Sequence, residues 1–160
     1  MGMDVIGKKP TTEEGKYFRN NVWWWRPLAT YVCEVAPDIA DKCHNWQTND
    51  GDGLKAKDAR QLADILQKEI DIGHTEAYAR RYASDQEMAP DVACDLCGGT
   101  GTRKPIPHIG AGDPKADGVL CNKCDGKGHV RPWSTEYPFS VENVQTFAIF
   151  LRGCGGFKIC

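Results

Sequence analysis

The chain has 160 residues, 41% hydrophobic and 26% charged, proportions ordinary for a globular protein and sufficient to bury a core. Its formal net charge of -2 excludes a global attraction to nucleic acid or to an anionic membrane, so any polyanion site has to be local. No stretch is apolar for long enough to span a bilayer, and the opening MGMDVIGKKPTTEEGKYF lacks the apolar run of a signal peptide, so the expectation is a cytoplasmic protein with no membrane partner.

In chain order, residues 1–21 read as turn-rich. The VWWWRPL that follows, if extended, places Val22 and Trp24 on one face and Trp23 and Trp25 on the other, as core or as a surface for a partner. Leu28, Val32, Val35 and Ile39 fall near helical spacing, with Pro37 dividing them into two short helical pieces. Asn49 to Gly53 (NDGDG) is a loop. As a calcium loop it fails, because Thr48 would stand at the first position and Ala59 where a bidentate Glu is required. From Lys55 onward, Ala59, Leu62, Ala63, Leu66 and Ile70 make the apolar stripe of a helix ending at Gly73. A second helix is predicted over His74 to Met88, stopping before Pro90.

Residues 93–133 change character, with eight glycines, two cysteine motifs and the loop PIPHIGAGDPKADG. Beyond them Ser140 can cap a helix whose Val144, Phe147, Ala148 and Leu151 face inward, with Phe139 and Val144 placed as a hydrophobic staple and glycines 153, 155 and 156 ending it. The tail FKIC alternates like a short strand, for which the N-terminal aromatic segment is the expected partner.

The two motifs, CDLCGGTG at Cys94–Gly101 and CNKCDGKG at Cys121–Gly128, both read C-x-x-C-x-G-x-G. A C-x-x-C turn brings two sulfurs toward one ion, and glycines at 99, 101, 126 and 128 permit its tight, positive-φ path. Two such turns supply the four tetrahedral ligands Cys94, Cys97, Cys121 and Cys124 for one zinc per chain. The eight cysteines come without an export signal, and in a reducing compartment paired C-x-x-C motifs hold metal more often than they form disulfides. Iron fits the same cage, and four ordinary thiols remain the plain alternative. Redox chemistry is disfavoured because glycines, not helix formers, follow Cys97.

The repeated unit resembles the cysteine-rich zinc finger of the DnaJ family, in which four such repeats form two zinc centres by pairing distant motifs. Two repeats here imply one centre. The resemblance covers about a quarter of the chain, and no His-Pro-Asp signature or Gly/Phe linker accompanies it, so recruitment of a heat-shock ATPase is not implied. The opening GMDVIGKKPTTEEGKYFRNNVWWWRPL and the ending ENVQTFAIFLRGCGGFKIC are similar to small uncharacterised bacterial and bacteriophage proteins, which implies a provenance and no activity.

A four-thiolate zinc has no open position for water or substrate, so the metal is a staple, and no phosphate loop, nucleophile elbow or H-E-x-x-H argues for an enzyme. Around the motifs Arg103, Lys104, Lys115, Lys123, Lys127 and Arg131 face Asp95, Asp113, Asp117 and Asp125, too small an excess for a phosphate-binding stripe. Cys33, Cys43, His44, Cys154 and Cys160 lack knuckle spacing and read as free thiols. The expected architecture is α+β, a mainly helical small domain with an inserted β-hairpin zinc finger: 1–92 an aromatic segment and helices, 93–133 the finger, 134–160 a helix and tail packing on the N-terminal part. The expected role is binding a protein or extended peptide along strands at Thr102–Ile106 and His129–Trp133. Nucleic-acid binding, or an enzyme with a structural zinc, is the alternative.

Overall fold

The computed structural model describes residues 2–103 and 119–160. It is an α+β structure with two compact units, one formed by Met1–Asp85 with Glu136–Cys160 and the other by Gln86–Thr135. Among the described residues no helix is long and apolar enough to cross a membrane.

In the first unit, the segment read as turn-rich is a β-hairpin. Strand β1 (Gly2–Gly7) pairs antiparallel with β2 (Tyr17–Asn21), from Gly2 opposite Asn21 to Ile6 opposite Tyr17. Its pattern is Met3 and Val5 inward, but Gly2, Asp4 and Gly7 are poor strand formers and hide the alternation in sequence. The tail also forms a strand, β3 (Phe157–Ile159), and it pairs with β1, not with the aromatic segment. Val5 therefore lies between Phe18 and Ile159, and all three are buried.

The aromatic segment cannot be the strand expected of it, because it is the first turn of helix α1 (Val22–Val35). The side chain of Asn21 accepts from the Trp24 N–H at 3.1 Å, and this cap starts a helix through three bulky residues of middling propensity. Trp25 points inward and donates its indole N–H to the Trp46 carbonyl at 2.6 Å. Trp23 and Trp24 are half-buried, and the Trp23 ring lies 5.0 Å from that of Tyr137. The division at Pro37 holds, with a short α2 (Pro37–Ala40) after α1.

Helix α3 (Ala56–Asp71) buries Ala59, Leu62, Ala63 and Leu66 as their spacing predicts, and α5 (Val141–Gly153) buries Val144, Phe147, Ala148 and Leu151, together with Phe150. The two helices pack against each other. Ser140 caps α5 by accepting from the Asn143 N–H at 3.2 Å. Between them in sequence, α4 spans His74–Met88. The rings of Tyr31, Tyr78, Tyr82 and Phe139 form an aromatic cluster, in which the buried Tyr31 and Thr75 hydroxyls share a hydrogen bond of 2.7 Å.

The loop between β1 and β2 does the capping that the C-terminal end of α5 needs. Lys9 N–H donates to the Cys154 carbonyl at 3.2 Å and Thr11 N–H to the Gly153 carbonyl at 2.8 Å, satisfying groups a helix end leaves open. Contact is so close that a Cβ on Gly15 would stand 2.2 Å from the Gly153 carbonyl.

Among the described residues of Gln86–Thr135, four short strands form two antiparallel ribbons. The outer pairs Val92–Ala93 with His129–Val130, and the inner pairs Thr102–Arg103 with Val119–Leu120. The strand expected over His129–Trp133 is thus cut to its first two residues, since Pro132 offers no N–H and Trp133 opens a single 3-10 turn, Trp133–Glu136. Of the strand expected over Thr102–Ile106, the last three residues lie outside the described residues, as do Lys104, Asp113, Lys115 and Asp117. The Arg131 guanidinium donates to the carbonyls of Gln86 and Ala89, and Gln86 Nε2 to the Ser134 carbonyl at 2.9 Å, which closes the unit's base.

Two expectations follow for stability. Gly15→Ala should cost about 3 kcal/mol by overpacking against backbone, whereas Gly73→Ala, at φ +78° with open space around it, should cost about 1 kcal/mol; urea unfolding of both variants measures the difference. Burial, and secondarily the charge of Glu34, raises the Tyr78 phenol from 10.0 to about 12. Stability contributed by keeping this phenol neutral is complete below pH 10 and is lost as pH rises toward 12, so the alkaline fall in unfolding midpoint should be shallower in Tyr78→Phe.

Candidate metal centre

The two cysteine motifs follow one backbone path. In the first knuckle the Gly99 N–H donates to the Cys94 carbonyl at 3.1 Å and the Thr100 N–H to the Cys97 carbonyl at 3.2 Å. In the second, Gly126 donates to Cys121 at 3.2 Å and Lys127 to Cys124 at 2.9 Å. The knuckles are cross-tied, since Cys94 N–H donates to the Gly128 carbonyl at 2.8 Å and Cys121 N–H to the Gly101 carbonyl at 2.9 Å. These matched bonds relate the knuckles by an approximate twofold axis.

The path needs left-handed backbone at equivalent positions. Gly98, Gly99 and Gly101 have φ of 60°, 85° and 76°, and Asp125, Gly126 and Gly128 have 49°, 79° and 81°. At 101 and 128 glycine is required twice over, because a Cβ there would meet the carbonyl oxygens of Gly126 and Gly99 at 2.3 and 2.4 Å.

This folding converges the four sulfurs, all within 4.8 Å of one another. The Cys94–Cys121 and Cys97–Cys124 pairs are each 3.8 Å apart. A regular tetrahedron with that edge has its centre about 2.3 Å from each vertex, which is the zinc–thiolate bond length. Backbone N–H groups of Gly101 and Gly128 point at the Sγ atoms of Cys97 and Cys124, at 3.3 and 3.2 Å. Such donors favour thiolate over thiol.

Position within the cluster sets the sulfurs apart. Burial pushes the Cys94 thiol up to about 11. Burial also opposes ionisation of Cys97, but the Gly101 N–H, the neighbouring Cys94 and Cys124 thiols and the Gly99 N–H together outweigh it and bring Cys97 down to about 7. Across the mouth of the site Lys123 Nζ meets Asp95 Oδ1 at 2.6 Å, a pair that ties the knuckles but is exposed enough to contribute little. Described charges in the unit are balanced, with Glu87, Asp91, Asp95 and Asp125 against Arg103, Lys123, Lys127 and Arg131, and Arg131 stands 3.7 Å from Asp91.

Among the described residues the four cysteines are the only group of three or more His, Cys, Asp or Glu side chains arranged to hold a metal. Cys33, Cys43, Cys154, Cys160 and His44 are not brought together into a second such group. Burial raises the thiols of Cys43, to about 12, and of Cys154, and partial desolvation raises that of the otherwise exposed Cys33. In the NDGDG loop, Asp52 accepts the N–H groups of His44, Asn45 and Gly53 at 2.6, 3.0 and 2.7 Å, so its carboxylate is occupied as a turn cap. The motif spacing carried the ligand set, but it did not carry the cross-tie between knuckles, whose partners are Gly128 and Gly101.

Gly101→Ala should disrupt the cross-tie and abolish cobalt(II) or zinc uptake. Far-UV circular dichroism should keep most of its helical signal, because the core of Met1–Asp85 with Glu136–Cys160 does not draw on the knuckles.

No protein-family model, curated protein or solved structure matches the chain, so the DnaJ-type resemblance rests on the paired motifs alone.

Proposed function

We propose that Cys94, Cys97, Cys121 and Cys124 hold one structural zinc per chain, and that the finger so closed binds an extended polypeptide. The observation that carries the first half is the convergence of the four sulfurs to within 4.8 Å of one another, with two separations, at 3.8 Å, being those of a tetrahedral zinc shell. A filled shell of four thiolates leaves no position for water or substrate, so the metal supplies folding free energy in place of catalysis. Zinc suits such a site because its filled d shell imposes no geometry of its own and undergoes no redox change.

What supports the second half is the finger's surface. Val119 and Leu120 on the inner ribbon are 56% and 66% exposed, and Val92 on the outer ribbon is also exposed. Ribbons bearing exposed apolar side chains offer contacts of the kind an added strand uses. The balanced charge gives little hold on a phosphate backbone, which favours peptide over nucleic acid.

Purified protein should contain zinc at one equivalent per chain by elemental analysis, and a Cys97→Ser, Cys124→Ser variant should contain almost none; zinc unchanged in that variant would overturn the ligand assignment. Val119→Asp with Leu120→Asp should weaken suppression of aggregation of a denatured client and leave zinc content intact. If the variant suppresses as wild type while the protein shifts single-stranded DNA in a salt-sensitive manner, the nucleic-acid alternative replaces peptide capture.

A further inference from the structure

The approximate twofold symmetry of the centre is broken at one corner. Cys94 and Cys121 are 0% exposed and Cys124 is 4% exposed, whereas Cys97, the counterpart of Cys124, is only partly buried. The two N–H bonds to sulfur differ in the same way, Gly128 to Cys124 being buried and Gly101 to Cys97 part-buried.

The residues around the two knuckles differ as well. Val130 packs against the sulfur cluster, whereas its counterpart after the first knuckle is the exposed Arg103. Before the knuckles, Leu120 reaches Gly126, where a Cβ would meet its Cδ2 at 2.8 Å, and the shorter Ala93 stands 3.6 Å from a Cβ on Gly99.

We infer that Cys97 is an oxidation site, the sulfur at which a peroxide enters the centre, and that it then closes a disulfide with Cys124. This rests on the zinc reading for its consequence, release of the metal, but the order of attack follows from the exposure of the sulfurs alone. In the first step the Cys97 thiolate attacks one oxygen of hydrogen peroxide. An S–O bond forms, the O–O bond breaks, and hydroxide leaves, so that sulfur is oxidised to sulfenic acid and the peroxide is reduced. In the second, the Cys124 sulfur, 3.8 Å away and the least enclosed of the other three, attacks the Cys97 sulfur. The S–S bond forms and hydroxide leaves from Cys97; two solvent protons convert both hydroxides to water. Cys94 and Cys121 then remain as two ligands, too few to retain the ion.

The test uses the full-length protein, with metal content first measured by native mass spectrometry. Hydrogen peroxide is added in substoichiometric amounts, released metal is read with a chromogenic chelator, and oxidised cysteines are mapped by peptide mass spectrometry. The expected result is metal release in step with a Cys97–Cys124 disulfide, with Cys97 the first of the four to be lost to alkylation. Ala93→Leu, at an exposed position beside Gly99 of the first knuckle, should slow release several-fold at unchanged metal content. First loss at Cys94, Cys121 or Cys124, a Cys94–Cys97 disulfide, or an Ala93→Leu variant as fast as wild type would overturn the inference. Protein without metal at the outset would overturn the zinc reading instead, and the cysteine map would still decide the order of attack.

Discussion

Among the described residues of Gln86–Thr135 the buried cluster is Cys94, Cys121 and Cys124, with the partly buried Cys97 and Val130 packed against it and the four sulfurs within 4.8 Å of one another. Apolar burial this small among those residues gives almost no hydrophobic free energy to set against the ordering of their backbone. Convergence of the thiols is therefore the constraint on which the unit's other features depend. Left-handed glycines are needed because the chain must turn back on each pair of sulfurs, and the reciprocal bonds between Cys94 and Gly128 and between Cys121 and Gly101 hold the two turns in register.

The other unit solves the opposite problem. Its aromatic core is large, with Trp25, Tyr31, Phe147, Phe150 and Phe157 all fully buried, and burial of each such side chain contributes roughly 1.5–3 kcal/mol. What this unit must manage is its backbone. The N-terminal hairpin loop answers the carbonyls at the end of α5, and the segment around Asp52 answers β3, with Gly51 N–H donating to Ile159 at 2.7 Å and Ile159 N–H to Asp52 at 2.7 Å. Both ends of the chain are thus fixed into one sheet by strands whose sequences scarcely announce themselves.

Near-balanced charge among the described residues of the finger leaves no basic stripe there to follow a phosphate backbone. What those residues present instead is exposed apolar side chains on the ribbons, Val92, Val119 and Leu120. Within the paired arrangement of the knuckles the sulfurs are not equally enclosed: Cys97 is partly buried, whereas Cys94, Cys121 and Cys124 are buried.

The sequence by itself determined whatever depends on local spacing. Helical stripes at Ala59–Leu66 and Val144–Leu151, the Ser140 cap, the break at Pro37 and the convergence of Cys94, Cys97, Cys121 and Cys124 were all legible, since each follows from a period of 3.6 residues, one side chain reaching its own backbone, or a two-residue gap between thiols. The hairpin of β1 and β2 was hidden because Gly2, Asp4 and Gly7 interrupt its alternation, and it is stabilised by pairing with β3 from the far end of the chain. Trp23–Trp25 looked extended because bulky aromatics favour strands, but the Asn21 cap and the burial of Trp25 against Trp46 and Phe147 decide for helix. Which cysteine lies open was likewise beyond any motif: Cys97 and Cys124 occupy the same place in the C-x-x-C-x-G-x-G repeat, yet Cys97 is partly buried and Cys124 is buried. Spacing along a chain records which groups can meet, whereas exposure depends on what else folds over them, and that is a property of the tertiary structure.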